Sequence, residues 1–162
     1  MKALRKIFLA ACVIAAPAAF AAGVSAESAA PVLKPVYDEQ ADARAELNVA
    51  LAQAHAQKKN VLVVFGANWC PDCRSLSARM TGPLARQVDR RFVVLKVDVG
   101  RYTKNLDLAE QMGVPLKKGI PAVAVLKNNG EMASATSGGE LADARSMGDE
   151  AVLKVFDGLK AN

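Results

Sequence analysis

The sequence predicts an α/β domain: a central mixed sheet, largely parallel, with helices packed against it. Three observations predict this. Apolar runs at 61–65, 92–99 and 122–126 have strand length and lack the alternation that would leave one face wet. Segments with helical spacing lie between them, and strands joined through helices call for crossover connections and parallel pairing. Asn128-Asn129-Gly130 then marks a tight turn into a last short strand, which adds an antiparallel edge.

The elements follow in order. Asp38 is placed as the cap of a first helix reaching about Lys59, with Leu47, Leu51 and Ala54 on one face. Val61 to Phe65 form a buried central strand. A helix begins at the cysteines that follow, carried by Leu76, Met80 and Leu84, and Gly82-Pro83 breaks it before a new helical start through Arg90. Phe92 to Val99 form a second buried strand. Asn105 to Met112 make a short helix stopped by Gly113, with Pro115 beyond. Ala122 to Leu126 are the third strand and Glu131 to Ala135 the fourth. Residues 137–148 are rich in Gly and Ser and read as a loop. Asp149 is placed as the cap of a last helix with Val152, Val155, Phe156 and Leu159 on one face.

The first residues read as an address, apart from the fold. Basic Lys2, Arg5 and Lys6 precede an apolar stretch from Ile7 to about Ala22, then Val24-Ser25-Ala26 before Glu27. This is the pattern of a secretory signal over residues 1–26, cleaved after Ala26 or, as second choice, after Ala21. A membrane anchor is the alternative, but Pro17 interrupts the stretch and most of its residues are Ala. Lipidation at Cys12 is another, but the segment before Cys12 is very short and no polar tether follows it. Membrane association is expected only if one of these alternatives holds. Residues 27–37 carry Pro31 and Pro35 and read as a linker, with the domain at 38–162.

The full chain of 162 residues has a formal net charge of +5. Residues 1–26 take with them three of the 21 basic residues and none of the 16 acidic ones, leaving +2. The basicity is therefore partly a property of the leader, and no nucleic-acid partner is expected.

The same cleavage removes Cys12, so the mature chain keeps Cys70 and Cys73 alone. Two cysteines three residues apart close so short a loop that a bond between them constrains the unfolded chain little. Reactivity explains the pair better than stapling. Cys70 follows a buried strand and opens a helix, where free amide donors and the helix dipole favour a thiolate, the attacking form. Cys70 is expected to be the more exposed and to attack a partner disulfide. Cys73, one turn in, is expected to attack the mixed disulfide and release the partner. Pro71 suits the first helical position, where its missing N–H costs nothing. Asp72 is a candidate for redox tuning, because a carboxylate beside Cys70 opposes its ionisation; the bland reading is an acid in the first helical turn. With one histidine, His55, the mature chain cannot assemble four good zinc ligands, and no metal is expected. His55 reads as a surface or partly buried helix residue.

Three features make the sequence resemble the thioredoxin family over most of residues 40–160. They are Trp69-Cys70-Pro71-Asp72-Cys73 after the first strand, Lys96-Val97-Asp98 in the second, and Gly119-Ile120-Pro121-Ala122 before the third. The resemblance implies a thioredoxin fold and thiol–disulfide exchange without a dissociable cofactor. It also implies a cis bond between Ile120 and Pro121, beside the dithiol and the backbone that pairs with substrate. Trp69 then flanks the groove formed with Ile120 and Pro121. The implied partners are protein disulfides or dithiols and a recycling redox protein, with the chain expected to act as a monomer exported to the periplasm. Three departures stand out. Val64 occupies the position where many thioredoxins carry a buried aspartate, Gly66 replaces an aromatic residue after the strand, and the helix proline lies farther from the cysteines, at Pro83. They favour an exported thioredoxin-like branch. Asp72, by opposing the Cys70 thiolate, is expected to lean the protein toward reducing or exchanging disulfides in place of strongly oxidising them. Two readings of other classes compete: a copper(I) metallochaperone using both thiolates, weakened because no histidine follows the motif, and an adaptor without catalysis.

Overall fold

The structure, a computed structural model, describes residues 35–159. The readings of the leader, of Cys12 and of residues 27–34 lie outside the described residues.

Five helices and four strands follow the expected order: α1 Ala43–Gln57, β1 Asn60–Gly66, α2 Pro71–Thr81, α3 Ala85–Arg91, β2 Phe92–Asp98, α4 Leu106–Gln111, β3 Ala122–Leu126, β4 Met132–Ala135 and α5 Asp149–Gly158. A single 3-10 turn, Leu116–Lys118, precedes β3. The strands form one mixed sheet in the order β2-β1-β3-β4. This is the thioredoxin fold, with β1 in the middle and helices around the sheet.

The unbroken apolar run of β1 is explained by its two faces. Val61, Val63 and Phe65 enter one cluster with Leu95, Val97, Ala124 and Leu126, under Ala50 and Ala54 of α1 and Leu108 of α4. Leu62 and Val64 enter the other, with Val123 and Val125, under Leu76 and Met80 of α2 and Val152 and Phe156 of α5. Side chains alternate in direction along a strand, so a strand covered on both faces needs apolar residues at every position. Each fully buried Val, Leu or Phe contributes roughly 1.5–3 kcal/mol. β2 pairs with β1 on one side only, so it is an edge, and Val93, Val94 and Lys96 are only half-buried. The expectation of a second fully buried strand is corrected accordingly.

β1 and β2 are parallel, but β3 runs antiparallel to β1, with Phe65 opposite Ala122 and Val61 opposite Leu126. Strict strand–helix alternation predicted a parallel third strand. The reason for the difference is length. The six residues of α4 span about 9 Å, against roughly 23 Å for the seven residues of β2. The connection therefore does not carry the chain back along the sheet. β3 starts where β1 and β2 end, and this brings residues 119–121 to the cysteines.

Other boundaries shift for local reasons. Asp42, not Asp38, caps α1: its carboxylate accepts the N–H groups of Arg44 and Ala45. Asp38 instead accepts the N–H of Gln40 in the turn before it. Gly148 occupies the cap position of α5 and Asp149 is its first residue. Gly82 ends α2 as expected, and Gly113, at φ +67, follows α4. The loop 137–148 is more than a polar connection, for Leu141 and Ala144 are fully buried in the second cluster. The end of the expected linker also belongs to the packed domain, since Tyr37 is buried and Val36 packs against the first cluster.

Candidate functional site

Cys70 and Cys73 are joined as a disulfide, with Cα atoms 5.3 Å apart. Cys70 is the N-cap of α2 in extended conformation, and Pro71 is the first helical residue. The N–H of Cys73 donates to Cys70 Sγ at 3.1 Å. One of the unpaired amides of a helix start is thus aimed at the sulfur, where it stabilises negative charge once the bond opens. The expected difference in access is small: Cys70 is 3 % exposed and Cys73 not at all.

The Ile120–Pro121 peptide is cis, and Cys70 Sγ lies 3.5 Å from the Ile120 carbonyl oxygen. The antiparallel entry of β3 is what places this segment against the sulfur. Trp69 is 44 % exposed, and its indole Nε1 donates to the Gly100 carbonyl at 2.8 Å. Its ring meets Tyr102 edge-on at 6.1 Å and lies under the Arg101 guanidinium at 5.6 Å. The indole is thereby fixed on the 100–102 turn with an open face. Asp72 is turned to the loop 137–148, where it accepts the N–H of Arg145 at 3.0 Å and lies 3.7 Å from Arg145 Nε. His55 is exposed on α1.

Two residues of the site, Asn68 and Tyr37, are not singled out by the sequence reading. Asn68 clamps the arm that enters the domain: its Oδ1 accepts the N–H groups of Val36 and Tyr37, and its Nδ2 donates to the Tyr37 carbonyl and to Glu39. Tyr37 is thereby held in the core beside Gly66. A Cβ on Gly66 would come within 2.5 Å of Tyr37 Cζ and stand 3.0 Å from Cys73 Sγ. The missing aromatic after the first strand is thus supplied from the arm, and only glycine leaves room for it. The signal available in the sequence was the pairing of that glycine with an aromatic at the end of the expected linker.

Asp98 sits opposite Gly66 in the β1–β2 register and is buried. Burial pushes its carboxyl above the ordinary value of 3.8; the Gly100 amide opposes this, Glu39 adds to it and Lys104 opposes it. A carboxyl raised by folding is more protonated in the folded than in the unfolded chain. Its contribution to stability therefore falls as pH rises from 3.8 through the raised value and is flat above it. Asp98→Asn keeps an oxygen for the Gly100 N–H and removes the charge. Its stability relative to wild type is expected to grow as pH rises through that window, read from urea midpoints between about pH 4 and pH 8. Parallel curves would rule out this account of Asp98.

Comparison with known proteins agrees with the geometry. The sequence model of the family described as Thioredoxin-like matches residues 42–128. Thioredoxin-1 of Drosophila yakuba is 32% identical over 79 residues, 49% of this chain and 67% of that protein. The crystal structure of a disulphide isomerase from Xylella fastidiosa Temecula1 is 41% identical, with a TM-score of 0.74, covering 78% of this chain and 98% of that one. The oxidised C-terminal domain of Neisseria meningitidis DsbD shares the fold at 21% identity and a TM-score of 0.51, over 72% of this chain and 96% of that one. The chain belongs to the thioredoxin-like family and is built as a protein-disulfide oxidoreductase, its cysteine pair closed as a disulfide at the start of a helix.

Proposed function

We propose that this protein reduces or exchanges disulfides in exported proteins, with Cys70 as the attacking and Cys73 as the resolving sulfur. The observation that carries the reading is the Cys73 amide aimed at Cys70 Sγ, next to the Ile120–Pro121 segment. A thiolate on Cys70 attacks a client disulfide, forming a mixed disulfide and releasing one client sulfur as thiolate. Cys73 then attacks Cys70 Sγ; the bond to the client breaks and the Cys70–Cys73 bond forms. The client gains two electrons and the protein loses them, so a dithiol partner must return them. Exchange within one client uses the first step and its reversal. The 41% identity to a protein titled a disulphide isomerase supports exchange as one of the outcomes. Trp69, Ile120 and Pro121 form the contact surface for the client, and Pro71 and Asp72 tune the pair.

Export rests on the leader pattern at residues 1–26. Among the described residues no helix is long and apolar enough to cross a membrane. On fractionation the protein is expected outside the cytoplasm, beginning at Glu27; recovery of all of it in the cytoplasm with an intact leader would overturn export. Equilibration with glutathione buffers tests direction. A reduction potential well below that of a strong dithiol oxidant, about −120 mV, is expected. A value near that figure would overturn the lean toward reduction and exchange.

A further inference from the structure

Tyr37 is one of the largest fully buried side chains of the domain, and its hydroxyl has no hydrogen-bond partner among the described residues. A buried hydroxyl left unpaired lowers stability, so its position calls for a reason. The ring stands over Gly66, and an added Cβ there would overlap the hydroxyl while standing 3.0 Å from Cys73 Sγ. Hydroxyl and sulfur therefore both border the space that a methyl group on Gly66 would fill. In the disulfide, Cys73 Sγ is a weak acceptor; once the bond opens it becomes a buried anion that needs a donor. Val64, buried on the opposite face of β1 from Phe65, offers none.

We propose that Tyr37 is a positioning residue for the resolving sulfur: its phenol donates a hydrogen bond to the Cys73 thiolate when the disulfide is open. The inference rests on the dithiol reading given above. The Asn68 clamp holds the arm so that the hydroxyl stays in place. The charged group that acts on it is Asp98 from β2, which in turn feels Glu39 on the arm and Lys104 on the turn after β2. Burial, and then Asp98, hold the phenol well above its ordinary value, so it is a neutral donor at all working pH values. In the resolving step the Cys73 thiolate attacks Cys70 Sγ, the Cys70–Cys73 bond forms and the Cys70–client bond breaks. The client sulfur leaves with the electron pair and takes a proton from water, and Tyr37 keeps its own proton throughout. A charge-assisted hydrogen bond raises the thiolate fraction but also tempers the nucleophile, so the gain in ionisation exceeds the gain in rate.

The test reads ionisation of Cys73 apart from turnover. In the full chain carrying Cys70→Ser, the rate of iodoacetamide labelling is followed against pH at the Cys73 peptide by mass spectrometry. Adding Tyr37→Phe is expected to move the midpoint up by about one pH unit, or tenfold less thiolate at a given pH below it. In the Cys70-containing protein the same substitution is expected to slow resolution only about threefold. Melting curves report whether Tyr37→Phe keeps the fold. If it does not, the chain's two tyrosines permit a second measurement without loss of the hydroxyl. With 3-fluorotyrosine incorporated and Tyr102→Phe assigning the signals, the Tyr37 fluorine resonance is expected to shift on reduction and to titrate with the Cys73 midpoint. An unchanged labelling midpoint in folded Tyr37→Phe, or a Tyr37 resonance blind to reduction and pH, overturns the inference. Disulfide reduction by wild-type protein stands or falls on its own, so failure of this role and failure of the dithiol reading are separate results.

Discussion

Replacing Cys70 by serine is expected to bring insulin reduction, driven by dithiothreitol, down to the uncatalysed rate. The reason is that the first bond to the client has to form at this sulfur. It is the cysteine that keeps some exposure, takes the Cys73 amide and lies beside the Ile120 carbonyl. Serine accepts the same amide but is no nucleophile toward sulfur at neutral pH. Cys73→Ala is expected to differ in kind: the attack on the client survives and the release does not, so clients accumulate as mixed disulfides on Cys70. These adducts, recovered by non-reducing electrophoresis, identify the clients. Residual turnover in Cys70→Ser, or adducts on Cys73 in place of Cys70, would sink the assignment of roles.

The largest expected effect on stability at the site is that of Gly66→Ala. The added methyl overlaps the Tyr37 phenol, whose Cζ would be 2.5 Å away. Overpacking of this kind costs about 1–3 kcal/mol. It outweighs the roughly 0.4–1 kcal/mol that alanine returns by restricting the unfolded chain. The loss is expected to shrink by more than half in a Tyr37→Leu background, because the ring that is struck is then gone. Urea denaturation of the four proteins in a double-mutant cycle measures the coupling. Equal costs in both backgrounds would show that Gly66 is required for some reason other than Tyr37.

Much of this architecture was legible because it follows from local chemistry. The continuous apolar run of β1 announced a strand covered on both sides, and Cys70-Pro71 announced a helix start. Asn128-Asn129-Gly130 announced the hairpin that joins β3 to β4. Where the reading failed, tertiary packing had decided the outcome. The direction of β3 depends on how far α4 carries the chain, which no spacing of apolar residues reveals. The cap of α1 fell to Asp42, because two aspartates, Asp38 and Asp42, precede the helix and only the backbone geometry chooses between them. Tyr37 was read into a linker because two prolines precede it, whereas its burial depends on a contact with Asn68, 31 residues away. The glycine that makes room for it was visible as a departure from the family pattern, but the ring that fills the room was not.

The antiparallel entry of β3 bears on when the protein becomes active. Only the turn Cys70-Pro71-Asp72-Cys73 is local. The carbonyl beside Cys70 comes from 50 residues downstream, and the arm is anchored to Asn68 from 32 residues upstream of that residue. Contacts so far apart along the chain are reached late, after the entropy of closing large loops has been met. Until then the two thiols are those of an ordinary flexible peptide, and the environment that sets their reactivity does not exist. The chemistry of the pair is consequently switched on by completion of the sheet, which keeps an unfolded chain from cross-reacting through a prematurely activated sulfur.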